Sequence, residues 1–88
     1  MVMYHIKINM SNLYTIIVSY NGAQWIESCL ESLLASTMGT KIIVVDNAST
    51  DATVSIIKEK FPAVILLPQS DNIGFGKANN IGISYALK

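Results

Sequence analysis

The chain has 88 residues, 51% of them apolar and 14% charged, against typical values of about 45–50% and about 25%, so it is one domain at most and unusually poor in charge. Its formal net charge is zero and its six basic residues are all lysines; without an arginine fork or a basic stripe, nucleic-acid binding is not expected. The single cysteine, Cys29, excludes an internal disulfide, and no apolar run nears the roughly 18 residues of a membrane span; with no signal-peptide pattern, these features point to the cytoplasm.

At the front, Val2, Tyr4, Ile6, Ile8 and Met10 alternate with His5, Lys7 and Asn9, the period of a strand. Ser11-Asn12 would turn this strand back antiparallel against the next one; a disordered leader is the competing reading. Residues 15–19 form the first of three β-branched apolar runs. A helix is predicted to open near Asn21-Gly22, with Trp25, Ile26, Cys29, Leu30, Leu33 and Leu34 on one stripe.

Residues 41–45 are the second run, Ile42-Ile43-Val44-Val45 closing on Asp46. Unbroken apolar runs of this kind suit strands covered on both faces, as in parallel sheets. The next helix carries Val54, Ile57 and Phe61, with Ser49 or Thr50 as its cap, Asp51 favouring its positive end and Pro62 stopping it. Residues 63–67 are the third run and 68–74 read as loop. Ala78, Ile81 and Tyr85 then mark a third helix running to the end of the chain.

Strands alternating with helices through short loops predict a three-layer α/β, Rossmann-like domain with a mainly parallel sheet and right-handed crossovers. The extra N-terminal strand would lie antiparallel at its side. The chain stops inside a helix, without a fourth parallel strand, and reads as cut rather than finished. An apolar sheet edge left open in this way would favour homodimerisation through strand pairing.

Ligands of open α/β sheets bind beyond the carboxyl ends of the strands. Ser19-Tyr20-Asn21-Gly22, Asp46-Asn47-Ala48-Ser49 and residues 69–76 all fall there. They supply an aromatic ring, a carboxylate, amides, hydroxyls and two glycines, a set that suits a nucleotide. Tyr20 would pack on a base, Asp46 would accept a base N–H or a ribose hydroxyl, and helix N-termini would face phosphate. Turn chemistry competes for Asp46 and Asn47, because Asx residues often cap helices after strands; a plain rim aromatic competes for Tyr20. In the third segment Gly74 and Gly76 would let backbone approach a ligand, and Lys77 would add positive charge. The spacing is not that of a dinucleotide fingerprint, and no P-loop occurs. His5 has no metal-binding companion, Cys29 reads as core, and Ser19 has no triad to activate it.

Taken together, Thr15-Ile-Ile-Val-Ser-Tyr-Asn21, Ile43-Val-Val-Asp-Asn-Ala-Ser-Thr-Asp51 and Asn72-Ile-Gly-Phe-Gly-Lys-Ala-Asn-Asn-Ile-Gly82 resemble the opening of a family 2 glycosyltransferase, in matching order and spacing. The second block combined with Asn-Ile-Gly-Phe resembles the rhamnosyltransferase-like branch. The resemblance implies a GT-A fold and inverting transfer of a sugar from a UDP- or dTDP-linked donor, as in polysaccharide biosynthesis. It implies that Ser19 and Tyr20 line the base pocket, that Asp46 hydrogen-bonds the base, and that Asn72, Gly74, Gly76 and Lys77 lie near ribose and diphosphate, with Asn21 and Asn47 among the substrate-binding residues. Mg²⁺ or Mn²⁺ and a carboxylate base belong to the same resemblance. The metal-binding Asp-x-Asp does not occur in these 88 residues, and Asn79 stands where many relatives carry arginine. Residues 1–88 are therefore expected to form a donor-binding half that is inactive alone. A non-catalytic nucleotide-binding or interaction module is the alternative.

Overall fold

The computed structural model describes residues 2–9, 12–35 and 40–88. They form strands β1 (Val2–Asn9), β2 (Asn12–Ser19), β3 (Lys41–Asp46) and β4 (Ile65–Pro68), and helices α1 (Ala23–Ala35), α2 (Thr53–Lys60) and α3 (Gly74–Leu87). The sheet order is β1-β2-β3-β4. Strands β2, β3 and β4 are parallel, and β1 runs antiparallel beside β2. Met10 and Ser11, the end of the predicted first strand and part of its turn, lie outside the described residues.

The apolar runs of β2 and β3 make sense once both faces are covered. Successive side chains alternate between faces, and the core accordingly splits in two. Ile17, Ile42 and Val44 pack under α1 and α2 with Ile26, Leu30, Ile57 and Phe61. Ile16, Val18, Ile43 and Val45 pack on the other side against Ala78 and Ala86 of α3. A three-layer α/β Rossmann-like arrangement follows directly from that period-two split.

Details differ from the sequence reading. Helix α1 buries Ile26 and Leu30, while Trp25 is 62% exposed and Leu34 is also exposed, so the apolar stripe is narrower than predicted. Helix α2 is buried at Thr53 and Ile57 and closes on Phe61; Val54 is only half-buried. Helix α3 begins at Gly74 and includes Gly76, so these glycines belong to a helix start rather than a loop. Its buried face is Ala78, Gly82 and Ala86, and Tyr85 is exposed. Small residues are needed there because α3 lies close against the sheet: a Cβ on Gly82 would come within 2.6 Å of Ile16 Cγ2.

The side of β2 expected to stay open unless the N-terminal strand filled it is occupied by β1, whose residues pair with β2 from Val2↔Val18 to Asn9↔Asn12. The outer strands of the sheet are thus β1 and β4.

Candidate functional site

Parallel pairing aligns Ser19 with Asp46 and Asp46 with Pro68, so the loops after β2, β3 and β4 meet at one edge. Asp46 is the centre of this edge and is 1% exposed. Its Oδ1 accepts from the Ser19 hydroxyl at 2.7 Å and the Ser49 hydroxyl at 2.6 Å, and its Oδ2 accepts from Ser49 N–H at 2.9 Å. The backbone turns sharply enough for this because Ala48 adopts a left-handed conformation, φ +61°. A non-glycine residue there costs roughly 1–2 kcal/mol, offset by the two hydrogen bonds from Ser49 that the turn permits.

Asn47 looks the other way. Its side-chain oxygen accepts from Ile73 N–H at 3.3 Å, and its amide donates to the Gly74 carbonyl at 3.2 Å. It is also 1% exposed, and it ties the β3 loop to the start of α3. Asn72 Oδ1 accepts from Gly74 N–H at 3.0 Å, and Gly74 has φ +82°, open to glycine at little cost.

On the α1 side, Asn21 is left-handed, φ +50°. Asp51 Oδ2 accepts from Ala23 N–H at 3.1 Å, while Oδ1 accepts from Thr53 N–H at 2.9 Å and from the Thr53 hydroxyl. The N-cap residue of α2 is Ala52, not Ser49 or Thr50, and Asp51, one residue before it, satisfies the first helical N–H. Its carboxyl is held below the ordinary aspartate value, chiefly by the Thr53 hydroxyl and also by backbone N–H donors. Ser49 is instead committed to Asp46 and to the backbone of Asn21.

The nine predicted site residues thus divide in two. Ser19, Asn21, Asp46 and Asn47 are gathered at the edge and bonded to neighbouring loops and strands, Ser19, Asp46 and Asn47 buried and Asn21 exposed. Tyr20, 43% exposed, and the exposed Asn72, Gly74, Gly76 and Lys77 face solvent around them. Ser49 is expected at the edge without a site role of its own, and Asp51 only near the positive end of the helix. Their signal lay in the Asp46-to-Ser49 and Asp51-to-Thr53 spacings, three and two residues, which are those of local side-chain-to-backbone bonds.

Nothing in this geometry fits Mg²⁺ or Mn²⁺. Asp46 and Asp51 are occupied by hydrogen-bond donors, and among the described residues no three of His, Cys, Asp and Glu gather into a ligand set. No step is therefore assigned to a metal. A cavity of about 420 Å³ sits at the opposite end of the sheet, lined by Leu34, Lys41, Val64 and Ile65 among others, and is separate from this edge. No helix among the described residues is long and apolar enough to cross a membrane.

Residues 14–88 match the family described as Glycosyl transferase family 2. Over 69 residues the chain is 36% identical to an N-acetylglucosaminyl-diphospho-decaprenol L-rhamnosyltransferase of Mycobacterium tuberculosis, covering 77% of this chain and 22% of that protein. It is 39% identical over 80 residues to the uncharacterized glycosyltransferase YibD of Escherichia coli, covering 86% of this chain and 23% of the relative. With the glycosyltransferase GlyA of Streptococcus pneumoniae it shares 35% over 74 residues, covering 80% and 11%. The chain spans less than a quarter of the length of these curated relatives. The family match takes in β2, β3, β4 and all three helices, hence every loop of the edge just described, and on it this chain belongs to glycosyl transferase family 2.

Proposed function

We propose that this chain binds the nucleotide of a UDP- or dTDP-linked sugar at the carboxyl edge of its sheet, for inverting transfer of the sugar. The observation that carries the reading is the division of that edge into a locked interior and an outward rim. Tyr20 offers its ring to a base. At the start of α3 the Ile73 and Gly74 N–H groups are already bonded to Asn47 and Asn72; the remaining N–H groups of the first turn and its positive dipole end are offered to a diphosphate, and Lys77 adds a charge beside them.

Asp46 retains one lone pair on Oδ2 for a base N–H. At 1% exposure it meets a base only after the rim moves, so its contribution to affinity comes first through holding Ser19 and Ser49 in place. Gly76 has open space where a Cβ would be, and its φ lies outside the left-handed region. The fold itself does not require glycine at this position; the approach of a ligand to the helix start would.

The chain is expected not to transfer sugar by itself: Asp46, the buried carboxylate at the centre of the edge, already accepts from Ser19 and Ser49, and Asp51 accepts from Ala23 and Thr53. Its place of action is the cytoplasm, in keeping with the free thiol of Cys29. Self-association, if it uses a sheet edge, uses the outer edge of β1 or β4, since β2 is paired on both sides.

Calorimetric titration with UDP and dTDP, with and without Mg²⁺, tests the reading. Weak binding of one of them that is insensitive to Mg²⁺ is expected. Absence of heat for both at millimolar concentration would sink it and leave an interaction module as the better account.

A further inference from the structure

We infer that Asn21 is a positioning residue that locks the Tyr20 loop to the β3–α2 loop, presenting the rim as one preformed surface. The side-chain oxygen of Asn21 accepts from Thr50 N–H at 2.8 Å and Asp51 N–H at 3.3 Å, with the Thr50 hydroxyl further off at 3.4 Å. Its own backbone N–H donates to Ser49 Oγ at 2.8 Å. Asp51 returns the connection two residues along, accepting from Ala23 N–H. The two loops are therefore joined in both directions by groups 28–30 residues apart in the chain.

Two details make Asn21 the key to this arrangement. A carbonyl oxygen has two lone pairs, and the two backbone donors use both, so that oxygen is not available to a ligand; Asn21 acts through its neighbours. Its left-handed φ of +50° is a conformation that asparagine, aspartate and glycine tolerate and most other residues resist. Glycine would keep the turn but not the acceptor; aspartate would keep both. Through Ser49 the lock continues to Asp46 and Ser19, so the residues on either side of Tyr20 are held by the same bonds that orient the buried carboxylate. Preorganisation of this kind lowers the ordering cost of binding.

What the surface binds rests on the nucleotide reading above, but the lock itself does not. Amide hydrogen exchange on the intact chain tests the lock. In Asn21→Gly the Thr50 and Asp51 amides are expected to lose protection, and the Ala23 amide with them, although its acceptor Asp51 is untouched; in Asn21→Asp all three are expected to stay protected. Ala23 keeping its protection in Asn21→Gly would overturn the coupling. Where the glycine variant does not fold, Asn21→Ser, one atom too short to reach both donors, replaces it. Titration with UDP and dTDP supplies the functional arm: about tenfold weaker binding is expected in Asn21→Gly and near-native binding in Asn21→Asp. Equal affinity of wild type and Asn21→Gly would show that the lock does not position the rim. No binding by wild type would count against the nucleotide reading, with exchange still deciding the lock.

Discussion

Asp46 receives three donors at 2.6–2.9 Å in a position 1% exposed. Removing such a group costs more than one hydrogen bond, because its partners are left unpaired out of water. Asp46→Ala is expected to destabilise the chain by about 2–3 kcal/mol, read as a lower urea midpoint at unchanged slope. An unchanged midpoint would mean that the Ser19 and Ser49 hydroxyls find other partners. Asp51 is exposed, and its effect is read in pH. Its folded carboxyl lies below the ordinary aspartate value, so the unfolded chain takes up the proton first as pH falls. The stabilisation is complete above the ordinary aspartate range and lost as pH drops through the folded value. Thermal midpoints of wild type and Asp51→Asn are expected to differ most near neutrality and to converge in strong acid; a gap that stays constant would remove the carboxylate from the cap.

At the scale of elements, α3 is the one that sequence periodicity described least well. Ala78, Ile81 and Tyr85 carry the large-residue spacing of an amphipathic helix, yet the face against the sheet is Ala78, Gly82 and Ala86. Close approach of helix to sheet selects for small residues, which hydrophobic patterning scores weakly. Gly82→Ala is expected to cost about 1–3 kcal/mol, since Ile16 is fully buried and has little room to yield; a denaturation midpoint equal to wild type would show that it yields freely. Gly76 makes the opposite case. With open space around it in the first turn of α3, Gly76→Ala is expected to stabilise the fold by roughly 0.5–1 kcal/mol. The same substitution is expected to weaken nucleotide binding, and a gain in both stability and affinity would separate Gly76 from the ligand. In α1 the exposure of Trp25 has a simpler origin: it stands off the buried face that its neighbour Ile26 shares with Leu30.

At the scale of the whole molecule, the sheet has two covered faces and two outer strands, β1 and β4. Edge strands pair with other chains unless protected, and the pairing of β1 with β2 shifts this liability from β2 to β1. Sedimentation velocity across micromolar to high-micromolar concentration checks it: association through the edge would raise the mass with concentration, and a monomer throughout would show the edges to be protected.

The α/β class, the parallel strands β2, β3 and β4, and the convergence of their loops were all legible from the sequence, because continuous β-branched runs of four or five residues between amphipathic segments have few other solutions. The family was legible by resemblance, through three blocks that fall at the end of β2, at the end of β3 and at the start of α3. The orientation of the polar groups at those ends was not legible. Asp46 meets Ser19 27 residues away, Asn47 meets Ile73 26 away and Asn21 meets Asp51 30 away. No local spacing encodes such partners. Only the packing of β2 beside β3, and of α3 beneath both, determined that Asp46, Asn47 and Asn21 would brace the edge from within while Tyr20 and the start of α3 face outward.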